Sequence, residues 1–320
     1  MVPITIGVPV YNGADLLDEC LACLARQTFR DFKVLIFDNA STDATGEIAR
    51  GWAARDARFH YFRQAKNLGA GANFMAALDA ADSPWFLWRA DDDLCADNYL
   101  EVLYRLATSA PGCQLAVGTV VSHDLDGGRR NESPPPKDVD PRSLGGRLRM
   151  LLGSHASWLY GLWDTATIRA IEADIIPHFP FPFAADHLAL YGPIIDGAVR
   201  ATTETHFIQR VRRTAATPRK RTRMPYALMA EVHGGFRRQL RRIRAQRRPS
   251  PLLRAALLAV EPFYLRQTVF KWLKMFRTWL REQFGVVGSM ELPGHYFDRI
   301  DPNCVSGGGR TEVAETDFKP

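Results

Sequence analysis

The sequence predicts an α/β protein: a mostly parallel sheet with flanking helices, followed by a basic helical C-terminal extension. Three observations predict it. Short β-branched or aromatic runs alternate with amphipathic stretches through the first half of the chain, the signature of strand–helix–strand crossovers in a parallel sheet. Polar and acidic clusters follow three of the runs, where ligands bind in such sheets. Charge is segregated: Arg210 to Arg281 hold 20 Lys and Arg against 2 Asp and Glu, a balance of +18, while the rest of the chain carries −12.

The elements follow in order. Ile4 to Val10 (ITIGVPV) and Phe32 to Phe37 (FKVLIF) are continuous apolar runs, as strands buried on both faces require. Between them, Asp15 to Gln27 places Leu16, Leu17, Cys20, Leu21 and Leu24 on one helical face. Asn39 to Asp43 is rich in N-cap residues and opens a helix toward Trp52. Phe59 to Arg63 and Trp85 to Trp88 are further strands, separated by a small-residue helix over Ala70 to Ala81. Asn98 to Thr108 reads as a helix and Cys113 to Ser122 as a strand. Gly127 to Arg142 is a Gly/Pro/charge-rich loop, Arg147 to Ile171 is mixed, and Val199 to Arg210 reads as a closing strand. From Leu265 to Phe284, apolar residues at helical spacing with Arg and Lys between them predict one amphipathic helix with a cationic rim, the kind that lies in an anionic membrane interface or packs on the domain. Ser306 to Pro320 reads as a frayed tail.

Composition narrows the classes. A hydrophobic fraction of 46% is that of a globular chain, not a disordered one. Five cysteines in 320 residues make no disulfide scaffold, the N-terminus lacks a signal-peptide layout, and no long uncharged apolar run exists. These point to a reducing, cytosolic compartment. The run Gly235 to Arg248 is basic but has one aromatic and no nucleic-acid module, which argues against nucleic acid as partner. Cys20 and Cys23 lie within a helical pattern with no second pair, so a core role outranks zinc or redox. Trp158, Tyr160 and Trp163 are open between sugar stacking and core packing, and His187 between orienting a neighbour and a structural role.

Asp91, Asp92 and Asp93 directly follow a buried strand. Adjacent carboxylates there are costly unless neutralised, and a hard divalent cation does this. The competing reading is a solvated loop with one Asp as N-cap. Four more motifs stand in order with this one: Val8-Pro9-Val10-Tyr11-Asn12, Phe37 to Asp43 (FDNASTD), Lys66 to Asn73 (KNLGAGAN), and Ala185-Asp186, with Trp88 to Leu94 (WRADDDL) between the last two. In this order and spacing the first 210 residues or so resemble the family 2 glycosyltransferases, which have the Rossmann-like GT-A fold.

The resemblance implies a metal-dependent inverting transfer of a sugar from a nucleotide-sugar, with UDP or dTDP favoured, to a lipid-linked or saccharide acceptor in cell-surface glycan synthesis. It implies roles residue by residue. Pro9, Tyr11 and Asp38 line the base and ribose pocket, with Asp38 accepting an imide N–H, and Asn67 sits near the nucleotide. Asp91 faces ribose or metal, Asp92 is the principal ligand to Mg²⁺ or Mn²⁺, and Asp186 is the general base. Residues 1–210 would be the catalytic domain, with a nucleotide-sugar half to about 125 and an acceptor half over 126–210. Residues 211–285 would be a basic helical extension contacting anionic membrane at the cytoplasmic face, and 286–320 a tail. The chain departs from the pattern at Arg89, where the family's box has its first acid, at Asn39 for the second acid of the earlier motif, and at Ala185 beside the base; Arg212 stands near the family's late His. Nucleotidyl transfer and a catalytically degenerate scaffold are the rival readings.

Overall fold

The computed structural model describes residues 2–211, 221–223, 225–270, 272–283 and 291–293. Three strand–helix–strand units build its first half: β1 (Ile4–Val10), α1 (Leu17–Ala25), β2 (Phe32–Asp38), α2 (Thr45–Arg55), β3 (Phe59–Arg63), α3 (Ala70–Asp79) and β4 (Trp85–Trp88). All seven residues of β1 are buried. It lies between β2 and β4, parallel to both, so helices cover each of its faces and an unbroken apolar run is the only pattern that fits. In α1, Leu17, Leu21 and Leu24 enter the core, and the exposed acids Asp18 and Glu19 sit in its first turn, where the helix dipole favours them.

The second half departs from simple alternation. After β5 (Leu94–Cys95) and α4 (Tyr99–Ser109) come β6 (Leu115–Asp124), β7 (Arg130–Ser133), α5 (Leu144–Leu152), a 3-10 turn (Ala156–Tyr160), β8 (Leu162–Asp164), α6 (Thr165–His178), α7 (Ala185–Ile195) and β9 (Val199–Val211). The sheet order is β3-β2-β1-β4-β8-β6-β9-β5, with β7 paired to β6. The three-residue β8 runs antiparallel to both β4 and β6, whereas β6 and β9 are parallel. The register of that last pair shifts between Val117 and Thr119. There Gly118 lets the Thr205 carbonyl approach: a Cβ on it would lie 2.8 Å from that oxygen.

Beyond β9 stand β10 (Arg221–Arg223), α8 (Tyr226–Arg247), α9 (Pro251–Thr268), α10 (Trp272–Gln283) and β11 (Glu291–Pro293). Ser250 caps α9 by accepting the Leu253 N–H, with Pro251 opening the helix. One face of α8, carrying Met229, Val232, Phe236, Leu240 and Ile243, joins the same core as the sheet. Such burial stabilises by about 1.5–3 kcal/mol per large side chain. Four ion pairs reinforce it: Arg242 with Asp174, Arg247 with Asp196, and both Arg237 and Arg244 with Glu261. Part of the basic block is therefore spent on packing.

The single helix expected from Leu265 to Phe284 is two. Val269 leaves the helical region (φ −112°, ψ −98°), and it and Phe270 turn into the core, Phe270 stacking on Phe183. The apolar residues at the break serve tertiary packing, which outweighs continuation of the periodic pattern. Among the described residues no helix is long and apolar enough to cross a membrane. Arg212 and most of the expected tail lie outside the described residues.

Candidate active site

The loops that follow β1 and β2 are lashed into one unit. The Asn12 N–H donates to Ser41 Oγ at 2.9 Å, the Gly13 N–H to Thr45 Oγ1 at 2.9 Å, and the Thr42 N–H to Asn12 Oδ1 at 2.8 Å. Asn12 and Ala40 both hold positive φ (51° and 61°), and Ala184, directly before α7, does too (66°). Left-handed non-glycine residues are uncommon and cost about 1–3 kcal/mol where surroundings enforce them, a pattern that clusters at functional sites.

Asp38 is fully buried. Its Oδ1 accepts the Ser41 N–H at 2.8 Å, and its Oδ2 accepts Tyr61 Oη–H at 2.7 Å and the Arg63 guanidinium at 2.6 Å. Three protein donors thus hold the buried carboxylate, one on Oδ1 and two on Oδ2. Its observed work is to hold the loop and Arg63, which also donates to the Ser41 carbonyl at 2.8 Å. Asn39 is buried and knits the third loop in place: its Nδ2 donates to Asn67 Oδ1 at 3.0 Å and its Oδ1 accepts the Leu68 N–H at 2.8 Å. Asn67 is exposed, and Tyr11 is 48% exposed at the mouth of these loops. Pro9 lies within buried β1.

The three aspartates separate. Asp91 and Asp92 are half-buried, whereas Asp93 is buried and its Oδ1 accepts the Arg210 N–H at 2.8 Å. Burial, and then the charge of Asp92, push the Asp93 carboxyl up to about 8. The Arg210 side chain bridges the Asp92 carbonyl and Glu19 of α1, and also donates to the Leu16 carbonyl. Arg89 is fully buried between the rings of Tyr99 and Phe207, with Nε and Nη2 unpartnered, so it faces away from the turn's surface. The Asp91 carboxylate abuts Gly13: a Cβ there would lie 2.0 Å from Asp91 Oδ2. The structure thus brings the loop after β1 against the turn after β4. Gly13→Ala is expected to displace Asp91 and to weaken nucleotide binding at least tenfold with little change in melting temperature, as calorimetric titration and thermal unfolding would record.

Asp186 lies in the first turn of α7, which packs on α5, α6, α8 and the 3-10 turn. Desolvation lifts its carboxyl to about 7; Glu172 of α6 is lifted to about 7 likewise, by desolvation and then by the charge of Asp186. Such values suit a general base near neutrality. Glu172, Arg63, Tyr61 and Arg210 were not singled out as site groups from the sequence, because each acts through a partner distant along the chain. The aromatic cluster is core: Trp158 and Trp163 are buried, and Tyr160 stacks on Phe207. His187 is half-buried with its ring edge-on to Tyr264, and desolvation lowers it to about 4. Cys20 and Cys23 are buried free thiols.

Two half-buried carboxylates at one turn fit a divalent cation that completes its shell with substrate oxygens, the habit of Mg²⁺. Among the described residues no cluster of three ligating side chains offers an all-protein cage.

Residues 5–159 match the model of glycosyl transferase family 2. The chain is 32% identical to glycosyltransferase GlyA of Streptococcus pneumoniae serotype 4 over 102 residues, 32% of this chain and 14% of that protein. It is 30% identical to the uncharacterized glycosyltransferase EpsJ of Bacillus subtilis over 141 residues, 44% of this chain and 40% of the relative. These alignments span less than half the length of either relative. Among solved structures, S. aureus TarS 1–349 in complex with UDP-GlcNAc superposes with a TM-score of 0.54 at 18% identity, covering 72% of this chain and 66% of that one. With the sheet order and the lashed loops at the ends of β1, β2 and β4, these matches identify residues 5–159 as a family 2 glycosyl transferase domain, in a chain that shares the GT-A-like fold of its structural neighbours.

Proposed function

We propose that the chain transfers a sugar, with inversion, from a nucleoside diphosphate sugar to a lipid-linked or saccharide acceptor. The observation that carries this is the contact of Gly13 with Asp91 at the carboxyl edge of the parallel strands, which sets a half-buried acidic turn against a loop fit for a nucleotide. TarS, the structural neighbour, binds UDP-GlcNAc.

In this reading Tyr11 offers an exposed ring to the base, while Asp38 and Asn39 hold the walls. Asn67 borders the nucleotide. Asp91 and Asp92 would hold Mg²⁺ or Mn²⁺, which when bound supplies positive charge to the departing diphosphate. Asp186 accepts the proton of the acceptor hydroxyl as that oxygen forms its bond to the anomeric carbon. The bond from that carbon to the diphosphate oxygen breaks on the opposite face, and its electron pair leaves with the nucleotide. Asp38 Oδ1, with one protein donor, keeps acceptor capacity for an imide N–H, and preference for uracil over guanine rests on it together with other contacts.

A thermal-shift panel of UDP, dTDP, GDP and CDP, each with and without Mn²⁺, tests the donor assignment. Ligand at about 100 times its Kd adds ~2.7 kcal/mol, a shift of several degrees for a chain of this size. A Mn²⁺-dependent shift with one diphosphate is expected. No shift with any of them would sink the nucleotide site, and pyrophosphate release from a nucleoside triphosphate would favour nucleotidyl transfer.

A further inference from the structure

The α8–α9 face carries a feature that the nucleotide site does not use. Two cavities of about 390 and 570 Å³ lie along it and share Arg241 and Leu258, so they form one groove. Arg248 and Arg254 line one end, and Arg266 and Phe270 the other. The acid in this groove, Glu261, is buried and already paired with Arg244 and Arg237. Arg241, Arg248, Arg254 and Arg266 are exposed and have no ion pair among the described residues. Unopposed guanidiniums at this density repel one another and attract multivalent anions, and their planar forks match phosphate oxygens.

The rim adds the second half of the argument. Leu252, Phe263 and Leu258 on α9 are 69%, 66% and 51% exposed. Large apolar side chains at that exposure beside unpaired cations do not suit a small water-soluble anion. They do suit an amphiphile whose phosphate lies in the groove while its chains receive the leucines and the phenylalanine, the arrangement of an interfacial helix on an anionic membrane.

We propose that the α8–α9 groove is a docking site for the phosphate headgroups of anionic lipids, and that α9 is the helix that lies on the bilayer. This deepens the lipid-linked acceptor reading above, and it replaces the single long helix first expected to contact the membrane with a surface made by two helices.

The test is vesicle flotation of the full-length chain, run beside the nucleotide thermal-shift panel. Vesicles of phosphatidylcholine with 30% phosphatidylglycerol should carry the protein, and phosphatidylcholine vesicles should not. Arg241→Gln with Arg254→Gln should lower partitioning about 25-fold, at roughly fivefold per arginine, with the melting temperature and nucleotide shift unchanged. Leu252→Ser with Phe263→Ser should lower it about tenfold while keeping its salt sensitivity. Inorganic phosphate or pyrophosphate at millimolar concentration should not displace the vesicles. Equal flotation on neutral vesicles, no flotation on anionic ones, or insensitivity to the arginine pair would each overturn the proposal. So would displacement by free pyrophosphate, or an arginine-dependent shift of mixed-sequence RNA without vesicle binding. Because the nucleotide shift is read on the same samples, loss of the lipid site and loss of the transferase reading are separable.

Discussion

Asp92→Asn is expected to lower sugar transfer by about 10³-fold while leaving the fold intact. The carboxylate is half-buried on the surface of the turn after β4, so the amide replaces it without burying an unmatched group. On the proposed reading, what it removes is a metal ligand's charge at the leaving diphosphate. Charge stabilisation of that kind is worth several kcal/mol at the transition state, and each 1.36 kcal/mol is a factor of ten. The diagnostic is the thermal-shift panel: the Mn²⁺-dependent part of the nucleotide shift should vanish and the metal-free part should survive. Unaltered transfer in the variant would remove Asp92 from the site. A melting temperature lowered by many degrees would instead mean that the turn is structural.

Asp186→Asn should cost about 10²–10⁴-fold in turnover, the usual worth of a general base, with the nucleotide shift retained. The two substitutions therefore separate donor binding from acceptor activation. In the wild type, turnover should climb with pH and level off above about 7, since desolvation raises the Asp186 carboxyl to about 7 and only the ionised form takes a proton. Stability should move the other way. A carboxyl whose folded value lies above its unfolded one favours folding at acid pH, and that advantage is lost as pH rises from about 4 through 7. The asparagine variant lacks this loss, so relative to wild type it should gain stability in urea at pH 8 and gain little at pH 4. Glu172 shifts in the same direction, so part of the slope should persist in the variant. A flat pH profile in the wild type, or a variant with undiminished turnover, would remove Asp186 from catalysis.

Much of the fold was legible because burial on both faces leaves one pattern. ITIGVPV and FKVLIF could not sit at a water-facing edge, and β1 and β2 fall on them to within a residue. The short β8 was not legible: three residues held between β4 and β6 carry no periodicity. The break at Val269 was hidden because an apolar residue at a helical spacing fits either a continued helix or a chain turning inward. In the site, the loop sequences after β1, β2 and β4 were visible as motifs, but their bonding was not. Asp38 and Arg63 are register neighbours across β2 and β3, a fact set by strand pairing and not by their 25-residue separation. That pairing is what turns an exposed-looking acid into a buried strut. Arg89 was legible only as a departure from the acid box; that its side chain is buried between Tyr99 and Phe207 depends on residues far along the chain.

The clamp of Arg210 on the aspartate turn has a consequence for synthesis. Asp93 leaves the ribosome 117 residues before the backbone group that it bonds. Until β9 has emerged and slotted between β6 and β5, the turn has neither that N–H nor the guanidinium that ties it to α1. The stretch matching the family model ends at residue 159, so a nascent chain or fragment of that length contains the nucleotide-side motifs and lacks the piece that sets their geometry. Competence should therefore arrive late and abruptly in translation, with β9, and not gradually as the motifs appear.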